Sequence, residues 1–543
     1  MRSEKRGAIL VAIVLVGSAV LGGLFGPSLR ATAAGASDLQ DSVKSFTQVL
    51  TVVQQNYAIA IDTDKAIYDG AIPGMLRGLD PHSIFFDPRQ FAQMREDQEA
   101  HYYGVGMYIV ARAKDNKVQV VSPFVGSPAF KAGIKPGDIL LNVEGKDVSG
   151  MPSAQISEML KGPRGTTVHI TMHREGVEQP LNFTVMRDEI PKHDVDPPDM
   201  IRPGVGYIRI RSFQGETTAE DFASGLKKLA DNNLNGLVVD LRENGGGLLN
   251  AAISIADNLL DKNQLIVAQR GREQPERKYY AAHGNDGLRV PVVVIVNADT
   301  ASASEIVSGA IQDHDRGLIF GERTFGKGLV QTVTQLSDGT GLALTVAHYY
   351  TPSGRLIQRD YKSVSLFEYE FNHNSSIHET EVKSTDSGRH VYGGGGITPD
   401  VQYEAPKLNP FQLSLITPVH NILYSQDLGV GDFVLHYLAT EHPTITKGYV
   451  VDDKVLKLFR DYLDDQHIKY TEQDLAANIE WIKDHIKREV FTYTYGQDDG
   501  YRVETEDDAE VLKAIELLPQ ARALYDNVRR IEAQRVASGS SLR

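Results

Sequence analysis

The sequence predicts a multidomain α/β protein, in which a layer of parallel strands is preceded by a small β-barrel and flanked by helical regions at both ends. Three observations carry that expectation. The chain runs to 543 residues, more than one hydrophobic core usually organises, so several units are required. From about residue 205, the uninterrupted apolar runs 237–241 and 292–296 are each followed by a stretch with helical apolar spacing. That is the pattern of buried parallel strands alternating with covering helices. Between 103 and 188, short β-rich pieces are separated by Gly and Pro turns, the texture of a small, partly open barrel.

The elements follow in order. In residues 1–36, Arg2, Lys5 and Arg6 precede an uncharged apolar run at 8–25, and Arg30-Ala31-Thr32-Ala33 comes after it. The run is long for a signal core and short for a spanning helix, so a cleaved signal peptide and a retained membrane anchor both fit; either exports the rest of the chain. Residues 37–95 form an N-terminal helical region, with Val43, Phe46, Val49, Leu50 and Val53 at helical spacing. The stretch 80–88 interrupts it as a loop. The barrel spans 96–190, with strands at 118–121, 139–143 and 168–172 and a helix at 154–160. The α/β core spans 195–405, with strands at 206–210, 237–241, 292–296 and 318–320 and helices at 248–260 and 305–312. A polar stretch at 360–396, ending in four glycines, reads as an insertion or long loop. Residues 406–543 are helical. Their stripes Leu475, Ile479, Ile482, Ile486 and Val511, Ile515, Leu518 read as core or dimer contacts.

Composition removes whole classes of chemistry. With no cysteine, thiol nucleophiles, disulfides and Cys-ligated zinc are excluded. A net charge of −15 argues against nucleic acid as a partner. No His-Glu-x-x-His occurs, and no metal or cofactor is expected.

Three motifs remain. Thr300-Ala301-Ser302-Ala303-Ser304-Glu305-Ile306 follows an apolar strand and opens a helix, so a serine there faces the first helical N–H groups, which can stabilise an oxyanion. Ser302-x-x-Glu305 is equally a helix-capping pair. Lys327, between Gly326 and Gly328, can serve as a base for a serine only if its environment favours the neutral amine; a solvated turn lysine is the plainer reading. The glycine run in Asp240-Leu241-Arg242-Glu243-Asn244-Gly245-Gly246-Gly247 ends a buried strand and directs amides at a ligand, but lacks the lysine of a phosphate loop.

Taken together, DLRENGGG, TASASEI and GERTFGKGLVQT, with DPHSIFFDP, YYTPSGR and GGGGITPD around them, closely resemble the carboxyl-terminal processing peptidases, or tail-specific proteases. The barrel segment, with Tyr103-Gly104-Val105-Gly106-Met107 and SPAFKAGIKPGDIL, resembles a PDZ domain. The resemblance covers about residues 80–400. It implies a crotonase- or Clp-like α/β protease core and a serine endopeptidase that recognises protein C-termini. In that reading Ser302 is the nucleophile, with Ser304 the runner-up, Lys327 is the general base and Gln331 orients it. The Ala303 and Gly246 amides form the oxyanion hole, and Glu305 and Asp313 support the site. Gly104, Val105, Gly106 and Met107 hold a peptide C-terminus. Glu243 stands where the family more often has a neutral polar residue. Substrates would be proteins or peptides with free apolar C-termini, in the bacterial periplasm or at the inner membrane. A homodimer or an adaptor protein as partner, anchoring through residues 8–25, a catalytically inactive PDZ adaptor and another acyl hydrolase on the same core are left open.

Overall fold

The computed structural model describes residues 33–99, 101–112, 115, 117–273, 275–371, 381–416 and 429–538. The apolar run at 8–25 lies outside them. Among the described residues no helix is long and apolar enough to cross a membrane.

Two compact units divide the chain at residues 78 and 79. The first contains the long helix α1 (Ala33–Asn56) and short helical turns through Arg77. Leu39, Val43, Phe46, Val49 and Val53 are exposed along α1.

The second unit opens with β1 (Ile84–Phe86) and α2 (Pro88–Gln98). Asp87 caps α2 and Pro88 occupies its first turn, where a missing N–H costs nothing. The β-rich segment follows: β2 (His101–Gly104), β3 (Met107–Ala111), β4 (Val118–Pro123), β5 (Ile139–Val143), α3 (Ser153–Leu160), β6 (Thr167–His173), β7 (Leu181–Met186) and β8 (Asp188–Pro191). Strands β3, β4, β5, β6 and β7 form one antiparallel sheet in that order, leaving β3 at an edge, and β2 pairs with β8. α3 packs beside β3. Alternate residues of β6, Val168, Ile170 and Met172, enter the core, and helix α3 contributes Ile156 and Leu160.

The central sheet has six strands. They are β9 (Asp199–Arg202), β10 (Val205–Arg209), β11 (Gly236–Asp240), β14 (Val292–Val296), β15 (Leu318–Gly321) and β18 (Val401–Gln402), neighbours in that order. All pairs but the first are parallel. Between them run α4 (Thr218–Ala230), α5 (Leu249–Asp257) and α6 (Ala303–Asp313). Every residue of β11 and β14 is buried, as strands covered on both faces must be. Leu237, Val239, Val292, Val294 and Val296 face one core; Val238, Val293 and Ile295 face another. The first is covered by α4, α5 and α6. A second, antiparallel sheet also lies on that side: β1, β17 (Gly341–Tyr350), β12 (Leu265–Arg270) and β13 (Arg277–Tyr280), with β16 (Leu329–Gln335) paired to β17. The polar 360–396 stretch, expected to be a loop, includes the short helix α7 (Leu366–Phe371) and a hairpin joining Val382–Ser384 to His390–Tyr392.

After residue 429 come α8 (Val430–Glu441), α9 (Asp453–Asp465), α10 (Ile479–Tyr495) and α11 (Gln497–Asp507), around Phe433, Phe459, Ile482 and Ile486. The last helix, α12 (Ala509–Ala537), departs from that bundle. Its Val511, Leu517, Leu518 and Ala521 form the second core with Val238, Val293 and Phe320. α12 is therefore the outer cover of the central sheet.

Candidate active site

In open parallel sheets, ligand sites gather beyond the carboxyl ends of the strands. Here the loops after β11, β14 and β15 carry the glycine run, Ser302 and Lys327. Hydrogen bonds stitch the three together. Asn244 carbonyl accepts from the Ala301 amide (2.9 Å) and the Ser304 hydroxyl (3.0 Å); Thr300 hydroxyl donates to Leu241 carbonyl (2.8 Å); and the Phe325 amide donates to Thr300 carbonyl (3.0 Å).

Ser302 has φ 55 and ψ −113. A side chain rarely adopts that geometry without surrounding structure to enforce it, and such strain of roughly 1–3 kcal/mol concentrates at functional turns. Ser302 is half-buried, whereas Ser304 is fully buried with its hydroxyl given to Asn244. Ser304 is therefore a structural serine. Gly246 presses against the turn: a Cβ there would lie 2.7 Å from Ala301 carbonyl and 2.8 Å from the Ala303 amide nitrogen. The Gly246 N–H donates to Asn244 Oδ1 at 2.9 Å, so an oxyanion would share that donor.

Glu305 is the organising group. Its side chain is wholly buried. Oε2 accepts the amides of Ser302 and Lys327, each at 2.8 Å, while Oε1 accepts the Gly326 amide at 2.8 Å and the Thr324 hydroxyl at 2.6 Å. Burial pushes its carboxyl up, and the four donors offset that only in part, leaving it raised above the usual carboxylate range. With both oxygens doubly occupied, the ionised form is the one that fits. The sequence pair Ser302-x-x-Glu305 does act as a cap, through the glutamate, and this cap fixes the backbones of the two candidate catalytic residues on one oxygen.

Burial lowers the Lys327 pKa from its ordinary value, against the opposing charges of Glu305, Glu370 and Asp80. Gln331, on β16, donates its side-chain amide to the His82 carbonyl. His82 belongs to a tight turn in which Asp80 accepts the His82 and Ser83 amides and the Ser83 hydroxyl. Burial and the Lys327 charge hold His82 down at about 4, so its ring is neutral. Burial and Asp299 push Glu243 up to about 6, while Asn297 donates to its Oε1.

Asp313 is not brought to the site. It ends α6, about 15 Å along the helix from its start, where it pairs with buried Arg355 (2.8 Å) and accepts the Ser353 amide. Its role is to fix the 351–355 turn. Gly104, Val105, Gly106 and Met107 are all buried at the junction of β2 and β3. Val105 carbonyl accepts from the Ala129 amide, and Gly106 carbonyl accepts from the Phe124 amide and the Ser127 hydroxyl. Gly106 has φ 73, and a Cβ there would lie 2.6 Å from Ser127 Cβ. Sequence reasoning gave no role to His82, Asn244, Thr324, Gln358, Arg359 or Tyr369. The DPHS stretch was the available signal for the first. Among the described residues no His, Asp or Glu cluster could hold a metal ion.

Residues 204–363 match peptidase family S41, and 119–174 match the PDZ domain. The carboxy-terminal-processing protease of Bartonella bacilliformis is 38% identical over 318 residues, 58% of this chain and 72% of that protein. The carboxy-terminal processing protease CtpA of Bacillus subtilis is 35% identical over 331 residues, covering 61% and 69%. Among solved structures, the photosystem II D1 C-terminal processing protease aligns over 65% of this chain and 85% of its own, with 31% identity and a TM-score of 0.33.

Proposed function

The chain belongs to the carboxyl-terminal processing peptidases of peptidase family S41 and is a serine-type peptidase with a PDZ domain, and from that membership we propose that it cleaves substrate tails through an acyl-enzyme on Ser302, with Lys327 as the general base. The observation that carries the reading is the Glu305 carboxylate holding both residues' amides on Oε2. A neutral Lys327 amine takes the Ser302 hydroxyl proton as Oγ attacks the peptide carbonyl. The oxyanion is received by the Ala303 N–H and shared by the Gly246 N–H. As the C–N bond breaks, the proton passes from Lys327 to the leaving amine. Water then repeats the sequence on the ester, returning free Ser302 and a new carboxylate. Gln331, anchored on the His82 carbonyl, limits where the lysine can point.

The groove between edge strand β3 and α3 suits a peptide added as a further strand, its terminal carboxylate at Gly104, Val105, Gly106 and Met107. Parallel strands joined through helices, with a second sheet beside them, support kinship of the core with crotonase and Clp-protease cores. The basic residues, apolar run and small residues of 1–36 support export to the bacterial envelope. The test is labelling with a serine-directed phosphonate followed by peptide mapping. Modification confined to Ser302, absent in Ser302→Ala and strongly slowed in Lys327→Ala, is the expected result; labelling that persists in Ser302→Ala sinks the assignment.

A further inference from the structure

A chain of hydrogen bonds runs from the residue after Lys327 to Gln331, four residues beyond it. The amide of Gly328, the next residue, donates to Gln358 Oε1 at 2.8 Å. Gln358 Nε2 donates to Arg359 carbonyl (2.8 Å) and to the Tyr369 hydroxyl (3.2 Å). That nitrogen can only donate, so the Tyr369 oxygen accepts from it, and His82 Nε2 lies within hydrogen-bond distance of the same oxygen, 2.9 Å away. The His82 carbonyl then accepts from Gln331, four residues beyond Lys327. Three rings pack along it: His82, Phe325 and Tyr369 contact one another edge-on at 5.6–6.3 Å. The Arg359 guanidinium lies 4.5 Å from Phe325 and 4.6 Å from Tyr369. Tyr369 is 1% exposed.

We infer that His82, Tyr369 and Gln358 form a collar that positions the Lys327 amine and shuts water from it, and that His82, supplied by a turn lying before the PDZ domain in sequence, closes the collar. His82 is a positioning residue: it acts on Lys327 through solvent exclusion and through Gln331. The inference rests on Lys327 being the base. The charged groups facing Lys327 are Glu305 from α6, Glu370 from α7 and Asp80 from the His82 turn, with Arg359 packed against Gly326. The three carboxylates favour a protonated lysine. Only exclusion of water opposes them, so a breach in the collar has a defined direction of effect.

The test compares the dependence of kcat/KM on pH, from about pH 6 to pH 10, for the full chain and its variants on a peptide with a free apolar C-terminus. In His82→Ala the apparent ionisation moves up by about one unit or more, so activity near neutrality falls about tenfold while the alkaline limit approaches the parent's; KM is unchanged. His82→Gln, whose Oε1 can accept the Tyr369 proton, restores the parent profile. Tyr369→Phe removes only the hydroxyl and shifts the profile in the same direction, which keeps the inference testable if His82→Ala does not fold. A parent-like pH profile in both His82→Ala and Tyr369→Phe, whatever their amplitudes, overturns it. Activity surviving in Lys327→Ala would instead overturn the base assignment, a separate failure.

Discussion

Replacing Glu305 with glutamine separates the two jobs of that carboxylate, holding the backbone and charging the site. The new amide must turn its nitrogen toward one pair of donors. Facing Thr324 and Gly326 is cheaper, because the Thr324 hydroxyl can rotate and accept. The remaining oxygen then keeps the Ser302 and Lys327 amides, now as neutral hydrogen bonds of about half the strength. The Gly326 amide is left buried and unpaired, at about 1–3 kcal/mol. With about 1 kcal/mol lost at each weakened bond, the variant should be destabilised by roughly 3–5 kcal/mol. That is a large share of a typical domain's stability but within it. Removing the charge acts on Lys327 in the opposite sense, since Glu305 raises its pKa. At an effective dielectric constant of about 20 and a separation of several ångströms, the loss is on the order of one pH unit or more. Glu305→Gln should therefore melt earlier yet reach half-maximal kcat/KM at lower pH than the parent. Thermal denaturation and a pH–rate series on the same preparation measure both. A folded variant whose profile stays in place or moves alkaline would refute the electrostatic part, and an unchanged melting transition would refute the structural part.

Other outcomes follow from the same geometry. Ser302→Ala and Lys327→Ala should each abolish peptide cleavage, and the double variant should lose no more than either alone, because the two act as a unit; Lys327→Arg should also be inactive, since guanidinium does not give up its proton. His314, the residue after α6, places Nδ1 on Asp386 (2.7 Å) and Nε2 on Leu265 carbonyl (2.8 Å), two acceptors that require the doubly protonated ring. Burial opposes that charge but Asp386 outweighs it, raising the pKa, so His314 contributes stability that is fully present below about pH 6.5 and is lost as pH rises through the raised value. A melting temperature in His314→Ala with the same fall across that range as the parent would disprove the contribution. Gly106→Ala, forced into a left-handed backbone with its Cβ 2.6 Å from Ser127 Cβ, should erase the preference for a free over an amidated substrate C-terminus; equal preference in parent and variant would remove the terminus-binding role from this loop.

The strands and the loops that carry Ser302 and Lys327 were legible because their signals are local. Apolar runs such as 292–296 mark buried strands, and Ser302 follows one directly. What the sequence concealed is non-local. The His82–Tyr369 bond spans 287 residues and the Gln331–His82 bond 249, and no periodicity records such a meeting. The polar composition around Asn372 and Asn374 masked the six-residue helix that delivers Tyr369, because so short an element shows less than two turns of pattern. The stripe Val511, Ile515, Leu518 announced burial correctly but not its partner; an apolar face states that it must be covered and is silent on by what. Asp313 shows the converse. The family resemblance put it in support of the site, yet a helix carries residues apart at about 1.5 Å each, and this one pairs with Arg355.

The placement of α12 sets an order of events for a chain that emerges from its N-terminus. Strands β10, β11 and β14 are made long before the helix that covers their second face, and Arg242, beside the glycine run, finds Asp508 (2.8 Å) and Glu510 (2.7 Å) only at the start of that helix. Until residues near 521 are available, Val238, Val293 and Ile295 have no cover. A truncated or still-threading chain thus holds Ser302, Lys327 and the β3 edge, yet lacks the helix that covers the second face of the central sheet.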